Sequence, residues 1–263
     1  MNTSFDYLAN PARLPSNLLF HCTNSNALFK IIESGCFRGG RIINMNDLRE
    51  AELCEQFRFY NMDLFNTIKE QCYSFSFSQN FKYPNSDIVF YGFKKPRMWA
   101  QYADNNQGVC LVFEKDKFKQ ELLQHSEDYD IYYGSIEYKI MLEDFLGTCS
   151  CEDVKNYIHN NCKELFFTKH FDWRDEDEYK FIAISKMKDT IKVPNVNIRK
   201  CLIGIIMAPR FNYKAELIYQ MNKGNFEKQI NLYTSYGKFG GMSVVLDHGW
   251  KQIIDTFKTN RLV

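Results

Sequence analysis

Trp173-Arg174-Asp175-Glu176-Asp177-Glu178-Tyr179-Lys180-Phe181-Ile182-Ala183-Ile184 joins four consecutive carboxylates to an apolar run. The apolar half has strand character, which places the acidic half at the lip of a strand. Alternate strand side chains share a face, so Glu176 and Glu178 are expected to point one way and Asp177 and Tyr179 the other. Two carboxylates aimed together from a sheet edge would make a strongly negative site. Such a site suits a cation, a sugar hydroxyl or a developing positive charge. The alternative for any acidic run is a solvated loop.

Outward from this motif the chain mixes strands and helices. Strands are expected over Asn17–Thr23, Cys36–Ile43, Cys72–Ser78, Val109–Phe113, Ile131–Tyr138 and Cys201–Met207, with two more near Gln229–Tyr233 and Met242–Leu246. Cys72–Ser78 alternates, with Tyr73, Phe75 and Phe77 on one face and serines on the other. Helices are expected over Asn26–Glu33, stopping at Gly35, from Asp47 to about Tyr60, and over Asp63–Glu70. Others follow at Arg97–Ala103, Lys115–Leu123, Glu152–Thr168 and Ala215–Asn222, with one more at the C-terminus. Asp47 with Glu50 forms a capping box, and Ser150 with Asp153 offers a second helix start. Without a regular βαβ rhythm, the order predicts an α+β fold with mixed or antiparallel sheets.

Composition bounds the function classes. The 263 residues fit one domain, 1–263, and 16% aromatic content with 23 Phe and 16 Tyr can fill a core and still line a cleft. A net charge of +1 supplies no global field for nucleic acid or a membrane surface. No apolar run approaches the roughly 18 residues of a membrane span, and Met1–Asp6 lacks a secretory pattern, so a cytoplasmic location is expected. Nine scattered cysteines, several inside apolar strands, fit buried free thiols rather than a disulfide framework.

Several constellations carry alternatives. His21 closes an apolar strand before Thr23 and a polar turn, as a core residue or as a ligand-orienting donor. Trp99 and Tyr102, three apart on a helix, either pack inward or leave Tyr102 at a cleft edge, able to stack on a heterocycle. Cys149, Cys151, His159 and Cys162 share a short window, but their spacing matches no common zinc site, and no metal is expected. No G-x-S-x-G elbow or Gly-rich phosphate loop is present. Mg²⁺ held by the acidic run for nuclease chemistry is weaker, because two-metal sites draw carboxylates from several elements.

Four stretches together resemble a bacterial family of unknown function grouped with ADP-ribosyltransferase-like folds. They are Leu19-Phe20-His21-Cys22-Thr23, Asn46-Asp47-Leu48-Arg49-Glu50, Met98-Trp99-Ala100-Gln101-Tyr102-Ala103-Asp104 with Gly108-Val109-Cys110, and Trp173 to Tyr179. The resemblance implies a split β-sandwich with flanking helices, with NAD as co-substrate in the cleft between two sheets. It implies that His21, with Thr23, orients NAD, that Tyr102 stacks on nicotinamide with Trp99 sharing or replacing it, and that Glu178 binds the nicotinamide ribose. Glu176 resembles the acceptor-contacting position of a Glu-x-Glu pair. The implied activity transfers ADP-ribose to a protein or nucleic acid, in a bacterial toxin or phage-defence effector with an antitoxin protein as partner. The alternatives are an NAD glycohydrolase and a non-catalytic binding or regulatory module. Glu178→Gln is expected to remove activity with little change in melting temperature.

Overall fold

The computed structural model describes residues 17–45, 62–82, 89–140, 154–186, 192–224, 226, 230–238 and 241–246. In chain order these form strand β1 (Leu18–Thr23), helix α1 (Ser25–Ser34), strands β2 (Cys36–Arg38) and β3 (Gly40–Arg41), and helix α2 (Met62–Gln71). Strands β4 (Cys72–Gln79), β5 (Phe81–Lys82) and β6 (Val89–Phe90) follow, then helix α3 (Pro96–Tyr102), strand β7 (Val109–Glu114) and helix α4 (Lys115–Leu123). Strands β8 (Tyr129–Ser135) and β9 (Glu137–Lys139), helix α5 (Val154–Phe166), and strands β10 (Thr168–His170) and β11 (Glu178–Ser185) come next. The rest is strand β12 (Asn195–Asn197), helix α6 (Ile198–Cys201), strand β13 (Leu202–Met207), helix α7 (Lys214–Lys223), and strands β14 (Asn231–Lys238) and β15 (Gly241–Leu246). This is the expected α+β mixture, with a mixed sheet and, among the described residues, no closed barrel.

Local chemistry explains the boundaries. Asn24 caps α1 by accepting from the Ala27 N–H at 2.8 Å, and Gly35 ends it in a left-handed conformation at φ 68°. Leu28 and Ile32, four apart, are the buried stripe of that helix. Pro96 opens α3 at its first turn, where its missing N–H costs no intrahelical bond. The strand expected over Cys36–Ile43 breaks at Gly39 and ends in a 3-10 turn at Ile42–Asn44. The strand expected over Ile131–Tyr138 divides at Ile136, whose N–H donates to the Glu178 carbonyl at 2.9 Å. The helix expected from Asp47, the Ser150 cap and the terminal helix lie outside the described residues.

Contacts divide the chain into two units: residues 1–37, 78–121 and 196–263, and residues 38–77 and 122–195. In the first unit the strand order is β15-β14-β13-β7-β1, and β1 pairs on with the last two residues of β4. β1, β7 and β13 pair antiparallel, whereas β13 and β14 are parallel and joined across α7. One face of this sheet buries Phe20, Cys22, Cys110, Val112 and Ile206 with Phe93 and Trp99. On the other face Phe37 packs against His21, Phe113 and Phe118.

In the second unit β3 pairs with β4, and β11 lies between β4 and β8. Ile182 and Ile184 of β11 pack with Cys72, Ile158, Cys162 and Phe166. On the opposite face Phe181 meets Phe77 edge-on, and Ala183 joins Tyr73 and Tyr129. The serine face of β4 is therefore no solvent face: Ser74 and Ser78 are buried as deeply as the aromatics between them. Among the described residues no helix is long and apolar enough to cross a membrane.

Candidate functional site

The acidic motif is folded by its short polar flanks. β10 runs parallel to β9, pairing Lys169 with Tyr138. His170 then starts a 3-10 stretch, Phe171–Glu176, by accepting from the Asp172 N–H at 3.4 Å. Asp177 takes a left-handed conformation at φ 39°, and its N–H donates to the Arg174 carbonyl at 3.1 Å. β11 begins at the next residue, Glu178, whose N–H donates to the Tyr138 hydroxyl oxygen at 2.9 Å.

Glu176 thus stands on a turn and Glu178 on a strand, yet both carboxylates meet one ammonium. Lys169 Nζ lies 3.2 Å from Glu176 Oε2 and 2.7 Å from Glu178 Oε2. Lys180, two residues along β11 on the face of Glu178, places its Nζ 3.6 Å from Glu178 Oε1. The Trp173 ring stands over the Lys169 ammonium, 5.3 Å from centroid to Nζ. All four charged groups are buried, Glu176 and Glu178 at 4% exposure, Lys169 at 6% and Lys180 at 1%. Both Glu178 oxygens are sealed from solvent, and their ammonium contacts are ion pairs without the direction of full hydrogen bonds.

Burial works to raise the Glu178 carboxyl, but the Lys180 and Lys169 charges, with the Ser76 hydroxyl, overcome it and hold the group below the ordinary carboxylate range. The Tyr138 phenol is pushed far upward by its burial, with the Glu178 and Glu176 charges acting in the same direction. It stays neutral at any working pH and available as a hydrogen-bonding group.

This geometry corrects three expectations. The carboxylates do not share a strand face; the left-handed turn at Asp177 brings them together instead. Nor is the site strongly negative, since two ammonium groups offset two carboxylates. The solvated-loop alternative fails as well, with only Asp175 and its neighbours on the exposed side of the turn. Removing the Glu178 charge would leave buried lysines uncompensated, so a loss of stability in Glu178→Gln is now the expected outcome, to be read by thermal melting.

The remaining candidates lie in the first unit. His21 sits on β1 opposite Leu111, its ring edge-on to Phe37 with centroids 4.7 Å apart. Thr23 shares that face two residues on and is buried. Trp99 is fully buried on the other face, and its indole N–H donates to the Phe93 carbonyl at 2.6 Å. No face of that ring is open for stacking. Tyr102 is half-buried against the same cluster. The β1–β7 sheet therefore separates the His21 ring from the Trp99 and Tyr102 rings.

Asp104, Asn105 and Asn106, just after Tyr102, are all left-handed, at φ 48°, 50° and 64°. The turn closes when the Gly108 N–H donates to the Ala103 carbonyl at 2.8 Å. A Cβ on Gly108 would collide with the Thr23 carbonyl oxygen, so only glycine lets the turn lie against the end of β1. Cys22 and Cys110 face each other across β1 and β7, and burial with the neighbouring Cys22 thiol pushes the Cys110 thiol well up.

Among the described residues no group of three or more His, Cys, Asp or Glu side chains could hold a metal ion. Of the weighed zinc set, Cys149 and Cys151 lie outside the described residues. His159 Nδ1 is 3.0 Å from the Tyr132 hydroxyl, and burial pushes the Cys162 thiol up to about 12. At the acidic motif, a divalent cation would have to displace Lys169 from both carboxylates.

Lys169, Lys180, Tyr138 and Ser76 escaped the sequence reading. Lys180 carried a signal, as the one cation in a strand otherwise apolar after Glu178. Lys169, Tyr138 and Ser76 carried none, because each comes from a different element brought in by the fold.

The sequence model of a family described as a protein of unknown function, DUF2971, matches residues 98–181. The matched segment contains Trp99, Tyr102, Lys169, Glu176, Glu178 and Lys180, and leaves His21 and Thr23 outside it. No curated protein and no solved structure matches the chain.

Proposed function

We propose that this protein cleaves the nicotinamide–ribose bond of NAD, with Glu178 as the carboxylate at the reacting ribose, and transfers ADP-ribose to a macromolecular acceptor. The observation that carries this reading is a buried Glu178 carboxylate held ionised between the Lys169 and Lys180 ammonium groups. The bond broken joins ribose to a pyridinium that departs as neutral nicotinamide, so departure needs no general acid. Catalysis then rests on stabilising the positive charge that grows on the ribose. A preorganised carboxylate shielded from water does this electrostatically. Glu176, tied to Glu178 through Lys169, is the acceptor-side carboxylate. The finer fold we assign with this activity is the split β-sandwich of the ADP-ribosyltransferase-like proteins.

The test is incubation of the full chain with NAD labelled in the adenosine moiety and a cell extract. Label on protein or nucleic acid with nicotinamide release supports transfer; release without label means a glycohydrolase. Glu178→Gln, assayed below its own melting temperature, is expected to lose about 10²–10³ in rate. Neither label nor nicotinamide release from the wild-type chain overturns the proposal.

A second reading is a non-catalytic binding module. The placement of His21 and Tyr102 on opposite faces of the β1–β7 sheet favours it. Calorimetry separates the two, since a module indifferent to NAD gives no heat with it.

A further inference from the structure

Lys169 and Lys180 reach Glu178 from two different elements. Lys180 comes along β11, 3.6 Å from Oε1, and Lys169 comes from β10, 2.7 Å from Oε2. One ammonium faces each oxygen, so moving the carboxylate to either side weakens an ion pair. Lys169 also lies 3.2 Å from Glu176 Oε2, so the spacing of the two carboxylates is set through it. Burying two lysine chains costs rotamer freedom and hydration that apolar residues of similar volume would not lose. The apolar cluster on this face is Ile182, Ile184 and Phe166 with their neighbours, and the two lysine stems are buried beside their charged partners.

The geometry points to Lys169 and Lys180 as positioning residues, a two-point clamp that holds the Glu178 carboxylate in one orientation and fixes Glu176 relative to it. The inference deepens the reading of Glu178 as the working carboxylate, and its physical test does not need that reading to succeed. The titratable and polar groups that meet Glu178 are Ser76 of β4, Tyr138 of β9, Lys169 of β10 and Lys180 of its own strand, with Glu176 of the 3-10 stretch joined to it through Lys169. β8 contributes Gly134 opposite Lys180, which brings no charge. Glu176 and Tyr138 bring no positive charge. Of these groups, the two ammonium ions are the positive charges that keep Glu178 ionised.

The experiment uses the full chain with Lys180→Met, Lys169→Met and Glu178→Gln, singly and with each lysine change combined with Glu178→Gln. Two readouts are taken: thermal melting, and the carbon-13 titration of the Glu178 carboxyl. Each lysine change is expected to raise the Glu178 midpoint by at least one pH unit, a tenfold change in proton affinity. The double variant Lys180→Met with Glu178→Gln is expected to melt no lower than Lys180→Met alone. If Lys180→Met does not fold, recovery of folding in the double variant supports the clamp, and continued failure overturns it. An unmoved midpoint, or melting losses that simply add, also overturns it.

In the nicotinamide-release assay the lysine variants should lose at least tenfold in kcat, with KM for NAD held within about twofold. The acid limb of the profile should move to higher pH, and Lys169→Arg should recover part of the rate. Absence of release from the wild-type chain would sink the NAD reading while the melting and titration results still decide the clamp.

Discussion

β7 reads Val-Cys-Leu-Val-Phe-Glu and β11 reads Glu-Tyr-Lys-Phe-Ile-Ala-Ile-Ser, and both are central to their own unit. Val109 to Phe113 of β7 have no exposure at all, and every residue of β11 is buried too. In β7 that burial is stabilising throughout, because each side chain leaves water without losing a hydrogen bond. In β11 it encloses Glu178 and Lys180, whose hydration must be replaced by the protein. Equal burial therefore carries opposite meanings. β7 is explained by the core alone, whereas β11 holds charges that a core does not require.

That contrast can be broken most directly by Lys180→Met. With its partner charge left buried, the loss should be about 3–5 kcal/mol in urea unfolding. A loss under about 1 kcal/mol would mean that the β11 charges are not energetically coupled, and the contrast would fail. Leu111→Ala in β7 should cost about 3 kcal/mol by the transfer and cavity terms alone, with no dependence on pH.

Acid sharpens the difference. The Glu178 carboxyl is held below the ordinary range in the folded chain. Its contribution is therefore fully present above the unfolded-state value, about 4.3, and is lost as pH falls through the folded value. Stability measured from pH 7 downward should change little on this account until about pH 4.5, then fall. Glu178→Gln should flatten that fall, and Leu111→Ala should leave its slope intact.

Smaller effects test the left-handed turn behind Tyr102. Asn105 is exposed at φ 50°, so a β-branched side chain there meets its own backbone. Asn105→Val should cost roughly 1–2 kcal/mol, and Asn105→Gly should be neutral or slightly stabilising. The smallest expected signal is at Cys110, whose buried, upward-shifted thiol should resist alkylation in the native chain and react on unfolding.

The same contrast explains what was legible in the sequence. β7 and α4 stood out because an unbroken apolar run and a charged amphipathic run have one reading each. The strand after the acidic motif was legible for the same reason. What lay beyond sequence was the company Glu178 keeps. Lys169 is nine residues away through a 3-10 stretch and a left-handed Asp177, and nothing local says that its ammonium returns to the carboxylate. The convergence of Glu176 and Glu178 was expected from strand alternation, but a turn produces it. His21 and Tyr102 were grouped by resemblance. Their separation follows from the alternation of β1, where Phe20 and Cys22 face Trp99 and His21 does not.

The pairing of β1 bears on how the chain is made. Leu19 finds its partners at Gln79 on one side and Phe113 on the other, so neither edge of this strand can be satisfied by its sequence neighbours. During synthesis β1 leaves the ribosome before β4 and β7, as an apolar strand with two open edges. Contacts of such sequence separation form slowly, and exposed strand edges in the meantime invite pairing with other chains. Helix α1, capped at both ends by Asn24 and Gly35, follows β1 directly and is the first structure able to form after it. Yield of folded protein should therefore respond to changes at Asn24 and Gly35 more strongly than their equilibrium contribution accounts for.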